Sequence, residues 1–370
     1  IPFKKNNKWG YSDLNKNIKI ECKYINARPF IVNEGIARVQ SPQGYGFIDS
    51  LGNEIIPPIY DLIFEPSEGL FRVSKNWKYG YLNKKGDTVI PIIYEDAQDF
   101  KNGLAKVKIN NKWGFINKTG KKVSEIKYDM IEDFNDDMVA KVFINNKVGL
   151  VNIEGKEIAP CKYDIIWRYS EGMASVVYNN LYGFIDKSGR EVIPPKYEEA
   201  ESFSEGLALV KLNNKYGYIT SSGKVKIPFI YKEAESFSEG LALIRQYNKY
   251  GYINNSGKLV IDSIYEKGYP FFKRLATVKL HDKWGLIDKK NNIVLPCEYL
   301  KAIIFTKNYA AIIKDKKKGF VDTTGKIIVP PIYDSNYDDI ATYRNNSFTE
   351  GAANISLNGK WGFVDINGNE

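Results

Sequence analysis

The sequence has few of the side chains that build most catalytic and metal sites. Its 370 residues include one histidine and three cysteines, so a multi-histidine metal site is excluded. No apolar run approaches the ~20 residues that a transmembrane helix needs, and we expect no membrane span. No stretch of useful length has the 3.6-residue apolar period of an amphipathic helix, which predicts an all-β protein.

What the sequence has in abundance is repetition. The segment "NNKWGFINKTG" at 110–120 has near-copies at 213, 247 and 358. The motif glycine recurs eleven times at a period near 34 residues, at Gly10, Gly46, Gly80, Gly114, Gly149, Gly183, Gly217, Gly251, Gly285, Gly319 and Gly362. This period predicts a single continuous array over residues 1–370. The last interval is longer, which predicts an insertion at about 335–350, and we expect the last repeat to be incomplete.

One unit, residues 103–134, has the pattern of a three-stranded meander. Ala105, Val107 and Ile109 alternate with polar residues, as in a half-buried strand. Asn110-Asn111 suits a two-residue hairpin turn, and residues 117–120 form a second turn ending in glycine. In most other copies the third strand contains proline, which predicts an edge strand. A lone meander of this size is unstable, so we expect neighbours to bury the Trp or Tyr beside each motif glycine.

Two architectures suit eleven such meanders in series. A closed β-propeller has about four to eight blades, each of four strands. Eleven short units exceed that range, whereas an open array has no limit on copy number. We therefore favour an open superhelical β-solenoid over a closed propeller.

The repeat resembles the WG-repeat family of mainly bacterial proteins. The resemblance is carried by segments such as 112–116, 283–288 and 360–365, which read KWGFI, KWGLID and KWGFVD. It covers the whole chain and implies an all-β array with no common enzymatic activity. Interaction or scaffolding is the function that it implies, and the family motif transfers no catalytic residue.

The remaining reactive residues occupy repeat positions. His281 stands in the hairpin-turn column that other copies fill with asparagine, which indicates a surface turn. Cys22, Cys161 and Cys297 all lie twelve residues after a motif glycine, too far apart in an extended stack for a disulfide. Carboxylates recur in the link after each repeat, and no glycine-rich phosphate loop is present. We expect no enzymatic activity, catalytic residue, metal, cofactor or disulfide.

Three sets of residues are candidates for binding. A lysine column before the motif aromatic predicts a basic stripe for an acidic partner, or lysines that protect strand edges; it includes Lys78, Lys112, Lys147, Lys215, Lys249, Lys283 and Lys317. Eighteen residues after the glycine, where most copies are polar, four copies carry an aromatic that predicts a contact patch or local repacking: Phe64, Trp167, Tyr269 and Tyr337. Tyr343 and Arg344, in the insertion, are further candidates, since insertions in repeat proteins often lie on the binding face.

These features favour a non-enzymatic scaffold that binds another protein. The alternative is a glycan or cell-envelope binder that uses open aromatic faces. A third hypothesis is a basic surface for acidic polymers, but the net charge of +9 is interspersed with acids, so nucleic acid is an improbable partner. The chain begins with Ile1, so its location stays open between the bacterial cytoplasm and export with a leader removed.

Overall fold

The computed structural model describes residues 1–335, 348 and 351–370, and in these residues it is all-β. The described residues form 39 strands in eleven antiparallel sheets that follow one another along the chain. The chain divides into two compact units, Ile1–Ile165 and Ile166–Glu370. The predicted all-β tandem array is therefore confirmed. Each sheet is open, with two free edges, as the favoured solenoid requires.

The first unit contains five sheets. Their strands are, sheet by sheet, β1–β3 (Pro2–Lys5, Lys8–Ser12, Ile18–Tyr24), β4–β7 (Asn26–Ala27, Ile36–Ser41, Gly44–Asp49, Glu54–Tyr60), β8–β11 (Leu62–Ile63, Phe71–Lys75, Lys78–Leu82, Thr88–Tyr94), β12–β14 (Asp96–Ala97, Leu104–Ile109, Lys112–Asn117) and β15–β18 (Met130–Ile131, Val139–Ile144, Lys147–Asn152, Glu157–Tyr163).

The second unit contains the other six sheets, with the first residue of β19 at the boundary. Their strands are β19–β22 (Ile165–Ser170, Met173–Tyr178, Leu181–Asp186, Glu191–Tyr197), β23–β26 (Glu199–Ala200, Leu207–Leu212, Lys215–Thr220, Val225–Tyr231), β27–β30 (Glu233–Ala234, Leu241–Gln246, Lys249–Asn254, Leu259–Tyr265), β31–β34 (Lys267–Gly268, Leu275–Leu280, Lys283–Asp288, Ile293–Tyr299), β35–β37 (Tyr309–Lys314, Lys317–Asp322, Ile327–Asp334) and β38–β39 (Ala352–Leu357, Lys360–Asp365).

Most sheets have four strands in chain order, which we call A, B, C and D. Strands B, C and D are the predicted meander. Strand A is a short segment within the predicted link, of two residues in every such sheet except that of β19 (Ile165–Ser170), as where Glu199–Ala200 pairs with β24. Strand D is an edge strand, as its prolines predict. In β12–β14 the segment after β14 makes only isolated bridges, and the Ser124 hydroxyl accepts the Phe115 N–H there.

The two predicted turns are present. Asn110 and Asn111 have φ of 50° and 60°, the left-handed conformation that a two-residue hairpin turn requires. In the next turn, the Asn117 side chain accepts the amides of Thr119 and Lys121 at 3.1 and 3.0 Å. Gly120, at φ 79°, closes that turn. Asparagine and glycine therefore recur because both turns need positive φ or a side-chain acceptor.

The motif glycine makes room for an irregularity in strand D. In β25–β26, Tyr216 pairs with Tyr231 but Tyr218 pairs with Ile227, so strand D has two extra residues opposite Gly217. A Cβ on Gly217 would lie 2.8 Å from the Ile227 carbonyl oxygen. The bulged residues do not need ladder N–H donors, which explains how proline is tolerated in a strand.

Hydrophobic cores lie between successive sheets within each unit. One core combines Tyr218, Ile227 and Tyr231 of one sheet with Ile244 and Ile253 of the next. Phe237, from the link between the two sheets, belongs to the same core. Equivalent clusters recur along both units. Neighbouring sheets therefore supply each other's interior.

The prediction that the core buries the Trp or Tyr before each motif glycine is wrong, because the buried residue is the one directly after the glycine. Eight of these rings are half-buried at the margin of a core: Trp9, Tyr45, Tyr79, Trp113, Tyr182, Tyr216, Tyr250 and Trp284. The residue after the glycine is the fully buried one, such as Phe47 or Tyr218. Both positions share a face of strand C, but the motif ring lies nearer the end of the strand. Trp361, in the last sheet, is 66% exposed.

Candidate interaction surfaces

An acidic column follows strand D and has a structural role. Glu95 accepts the amides of Asn110 and Asn111, in the next hairpin turn, at 3.1 and 2.9 Å. Glu266 does the same for His281 and Asp282, at 3.1 and 3.0 Å. Asp61, Asp129 and Glu198 also accept hairpin amides. In these five repeats one carboxylate therefore caps the turn that follows, so these periodic acids have a structural use without catalysis.

The lysine stripe lies beside the same acids. Lys112 and Lys147 pair with Asp129 and Asp164. Lys249 pairs with Glu266 at 3.8 Å and Lys317 with Asp334 at 2.6 Å. Lys78 interacts electrostatically with Glu95, and hydrogen bonds to Asn111 and Asn110 lower the pKa of Glu95. Much of the stripe is neutralised within the repeat, and its binding role stays a prediction.

The structure describes three of the four candidate aromatic residues, each within its own repeat. The Arg72 guanidinium lies 3.6 Å from the Phe64 ring centroid, in the first unit. Trp167, in the second unit, is 51% exposed. The Tyr269 ring lies 5.8 Å from that of Trp284. The structure gives these side chains separate surroundings in different repeats. Tyr337, Tyr343 and Arg344, with almost all of the predicted insertion, lie outside the described residues.

Grooves run beside the strand A segments, and their charge differs between the units. In the first unit, a groove of about 530 Å³ contains the ion pairs Arg72–Asp99 (2.9 Å) and Lys106–Asp133 (2.6 Å). This cationic column is visible in the sequence only when the strand B positions of different copies are compared, since Arg38, Arg72 and Lys106 occupy the same repeat position.

In the second unit, Leu209 and Leu243 occupy the positions that correspond to Arg72 and Lys106. Here a groove of about 500 Å³ is lined by Glu201, Glu233 and Glu235. Desolvation, followed by the charges of Glu201 and Glu233, raises the pKa of Glu235. Arg245 pairs with Glu233, but the residues that line this groove include glutamates and no cation, whereas the groove of the first unit contains both charges of its ion pairs.

The faces of several motif rings are covered by cations. The Lys108 ammonium lies 5.8 Å from the Trp113 centroid, and that of Lys211 lies 5.2 Å from Tyr216. The Arg245 guanidinium lies 5.7 Å from the Tyr250 centroid, and the Tyr250 hydroxyl donates to Glu233. A sugar ring needs an open aromatic face, and these faces are occupied.

Two aromatic residues occupy hairpin tips where other copies have asparagine. Trp77 has a φ of 59° and is 80% exposed, and Tyr247 has a φ of 48° and is 90% exposed. Large side chains seldom adopt this backbone conformation, and neither ring is buried in a core. The repeat therefore gives no packing reason for either ring.

Another groove in the second unit, of about 410 Å³, lies beside Tyr247 and includes Lys215 and Lys232. Lys232 occupies a position in the acidic column that carries a carboxylate in seven copies. The periodic carboxylates predict an acid at this position, and the lysine there reverses the charge. A search of the column for residues of opposite charge would have revealed it.

The described residues offer little for redox or metal chemistry. The three cysteines are free, and burial raises the pKa of Cys161 to about 11. Within the described ranges, no three His, Cys, Asp or Glu side chains are grouped to hold a metal ion. A helix able to cross a membrane is likewise not found in them.

Comparison with known proteins identifies the repeat. The profile of the WG containing repeat matches residues 9–41, 45–79, 79–113, 113–147, 149–182, 182–216, 216–250, 250–284, 284–317 and 319–361. No curated protein has significant sequence similarity to the chain.

Solved structures resemble the chain only distantly. A eukaryotic initiation factor is 13% identical, with a TM-score of 0.35 over 79% of this chain and 94% of that one. Hsv2p of Kluyveromyces lactis is 9% identical, with a TM-score of 0.32 over 61% and 92%. The extracellular domain of the hybrid two-component system BT3049 of B. thetaiotaomicron is 10% identical, with a TM-score of 0.25 over 86% and 53%. Scores this low carry no argument about function.

Proposed function

The chain belongs to the family of proteins built from WG-containing repeats, and on that premise we propose that it is a non-enzymatic scaffold whose repeat surface binds another protein. The observation that carries the proposal is the pair of exposed aromatics at hairpin tips, Trp77 and Tyr247. A bulky residue at positive φ adds backbone strain, and exposure of its ring yields no burial in return. Contact with a partner would provide that burial, since Trp and Tyr are enriched among residues that dominate binding energy.

The periodic polar residues support a binding function over catalysis. The acids that cap hairpin turns and pair with lysines are engaged in holding the repeat together. A second set of glutamates connects adjacent repeats, as where Glu205 accepts the Gly240 amide at 2.8 Å. A solenoid presents many such units side by side, which suits an extended protein contact. The covered motif rings weigh against the glycan alternative.

The proposal is tested by returning both hairpin tips to asparagine. The double variant Trp77→Asn, Tyr247→Asn matches the other copies and relieves strain, so loss of folding would not confuse the result. Immobilised wild-type chain should retain a saturable protein partner that the double variant does not retain. A matched control, Tyr178→Asn, replaces an exposed tyrosine within a strand. Equal retention by wild type and double variant, or saturable binding of glycans in place of protein, would contradict the proposal.

A further inference from the structure

The hairpin turns of this chain contain a recurring carboxylate site that is normally filled from within. In β11–β14, the two oxygens of Glu95 each accept one amide of the Asn110-Asn111 turn. Glu266 fills the equivalent site one repeat after Lys232, also with one oxygen per amide. A lysine at the start of strand C lies beside the acid, as Lys249 does beside Glu266. The site therefore consists of two adjacent N–H groups and an ammonium.

One repeat has this site without its carboxylate. The residue that should cap the Tyr247-Asn248 turn is Lys232, the only cation in its column. Neither turn amide has a hydrogen-bond acceptor within the described part of the chain. Lys215, the strand C lysine of that sheet, likewise has no carboxylate partner there. The ammonium groups of Lys215 and Lys232 and the two turn amides therefore line a groove at the position where other repeats have a carboxylate.

The other departures from the acidic column differ from this one. Ile25 precedes a turn with Pro42, which has no N–H to cap. Leu300 precedes a turn that contains Asp315 and so carries its own carboxylate. Among the turns that the structure describes, only that of the Lys232 repeat combines a charge reversal with an exposed aromatic.

The groove also offers apolar and further polar contacts. Ile230 is 56% exposed and Tyr247 is 90% exposed. Arg245 lines the groove as well, and its buried Nε has no hydrogen-bond partner among residues that the structure describes. Its terminal nitrogen pairs with Glu233. A ligand here meets cations and apolar surface together.

We propose that the groove between Lys215, Lys232 and the Tyr247-Asn248 turn binds an aspartate or glutamate side chain from an acidic, partly apolar segment of a partner protein. The partner carboxylate takes the place that Glu95 and Glu266 occupy in their own repeats. This inference rests on the proposed scaffold function and names the chemistry of one contact.

An acidic peptide suits the groove better than a nucleic acid does. The internal acids show that one carboxylate oxygen per amide satisfies the turn. Ile230 and Tyr247 favour apolar neighbours on the ligand. A polyanion would also extend toward Glu198, which caps the turn at Asn214, and toward Glu233. Like charges at those positions disfavour a chain of phosphates.

The test restores the missing acid. In the full chain, Lys232→Glu places a carboxylate where it can cap its own turn, so it should occupy the site and raise the melting temperature. The probe is a fluorescent peptide with one central glutamate between leucines and serines, blocked at both ends, with binding followed by anisotropy. Because a charged hydrogen-bonded pair is lost and a repulsive charge is gained, we expect Lys232→Glu to weaken binding at least about tenfold. Lys215→Gln should weaken it several-fold.

Lys224→Glu is the matched control, since it makes the same charge change at an exposed lysine in the turn before strand D. It should bind the peptide nearly as wild type does. Equal weakening by Lys232→Glu and Lys224→Glu, or no binding by wild type, would overturn the proposed site. Stronger competition by a single-stranded oligonucleotide or inorganic phosphate than by unlabelled peptide would overturn the choice of an acidic protein. Should the hairpin-tip double variant lose its protein partner while Lys232→Glu keeps it, this inference fails and the scaffold function stands.

Discussion

The carboxylate of Glu95 accepts a hydrogen bond of 2.9 Å from the amide of Asn111, sixteen residues further along the chain. Glu95 follows strand D of one sheet, whereas Asn111 lies in the hairpin turn of the next. The contact therefore connects neighbouring repeats through a group that titrates. Equivalent carboxylates follow other sheets, so acid should weaken many such connections at once.

We predict that Glu95→Gln lowers stability at neutral pH and reduces its dependence on pH. Hydrogen bonds from Asn111 and Asn110 lower the pKa of Glu95 below its ordinary value. Its stabilising contribution is thus fully present above the unfolded pKa of about 4.3 and is lost as pH falls through the folded pKa. Melting temperatures from pH 7 down to about pH 2 measure the effect. Glu65→Gln, at an exposed carboxylate, should leave the curve unchanged; an identical loss there would contradict the capping role.

Glu235→Gln should have the opposite effect at neutral pH. Desolvation and the charges of Glu201 and Glu233 raise the pKa of Glu235. Its ionised form is therefore unfavourable in the folded state above the folded pKa, and this penalty disappears below the unfolded pKa. We expect a higher melting temperature at pH 7 and a gain that vanishes toward pH 3. A gain that is constant across this range would show that charge is not the cause.

The motif glycine should tolerate no side chain where strand D crosses it. A Cβ at Gly217 would approach the Ile227 carbonyl oxygen to 2.8 Å, in backbone that cannot easily move. We expect Gly217→Ala to lower the free energy of unfolding by about 3 kcal/mol, measured by urea denaturation. Gly362→Ala is the matched control, since no described atom lies within 4 Å of its added Cβ. Similar losses at both sites would refute the close-approach explanation.

Trp77→Asn should stabilise the chain. The tip has a φ of 59°, which asparagine adopts more readily than tryptophan, and the ring is 80% exposed. Relief of this strain should add about 1 kcal/mol to the free energy of unfolding, read from chemical denaturation. Asn111→Trp is the reciprocal variant and should lose a similar amount. A destabilised Trp77→Asn variant would mean that the ring packs against the fold after all.

Much of the repeat could be predicted because its determinants are local. The Asn110-Asn111 turn and the turn that ends at Gly120 are short segments whose residue types favour positive φ. The alternation of apolar and polar residues in strand B shows which side chains face the core. Strand A could not be predicted, because a segment of two residues such as Glu199–Ala200 is too short to show an alternating pattern. Its pairing with β24 depends on the neighbouring strand.

Alternation along strand C gives the face on which the motif aromatic lies but not its distance from the end of the strand, so the sequence predicts more burial than the structure has. Trp113 and Phe115 share a face, yet Phe115 is buried and Trp113 is half-buried. The candidate binding surfaces are harder to predict, because a column of lysines suggests a basic surface unless the carboxylates that pair with those lysines are known. The pairing of Lys112 with Asp129, seventeen residues away, appears only in three dimensions.

The most direct test asks whether one sheet folds without its neighbours. A peptide of residues 199–231 contains strands A to D of one sheet, whereas residues 199–299 contain three consecutive sheets. Tyr218, Ile227 and Tyr231 complete their core only with Ile244 and Ile253 of the next sheet. Far-UV circular dichroism during heating should show a disordered single-sheet peptide and a cooperative transition for the three-sheet fragment. A cooperative unfolding transition in the single-sheet peptide would contradict the account.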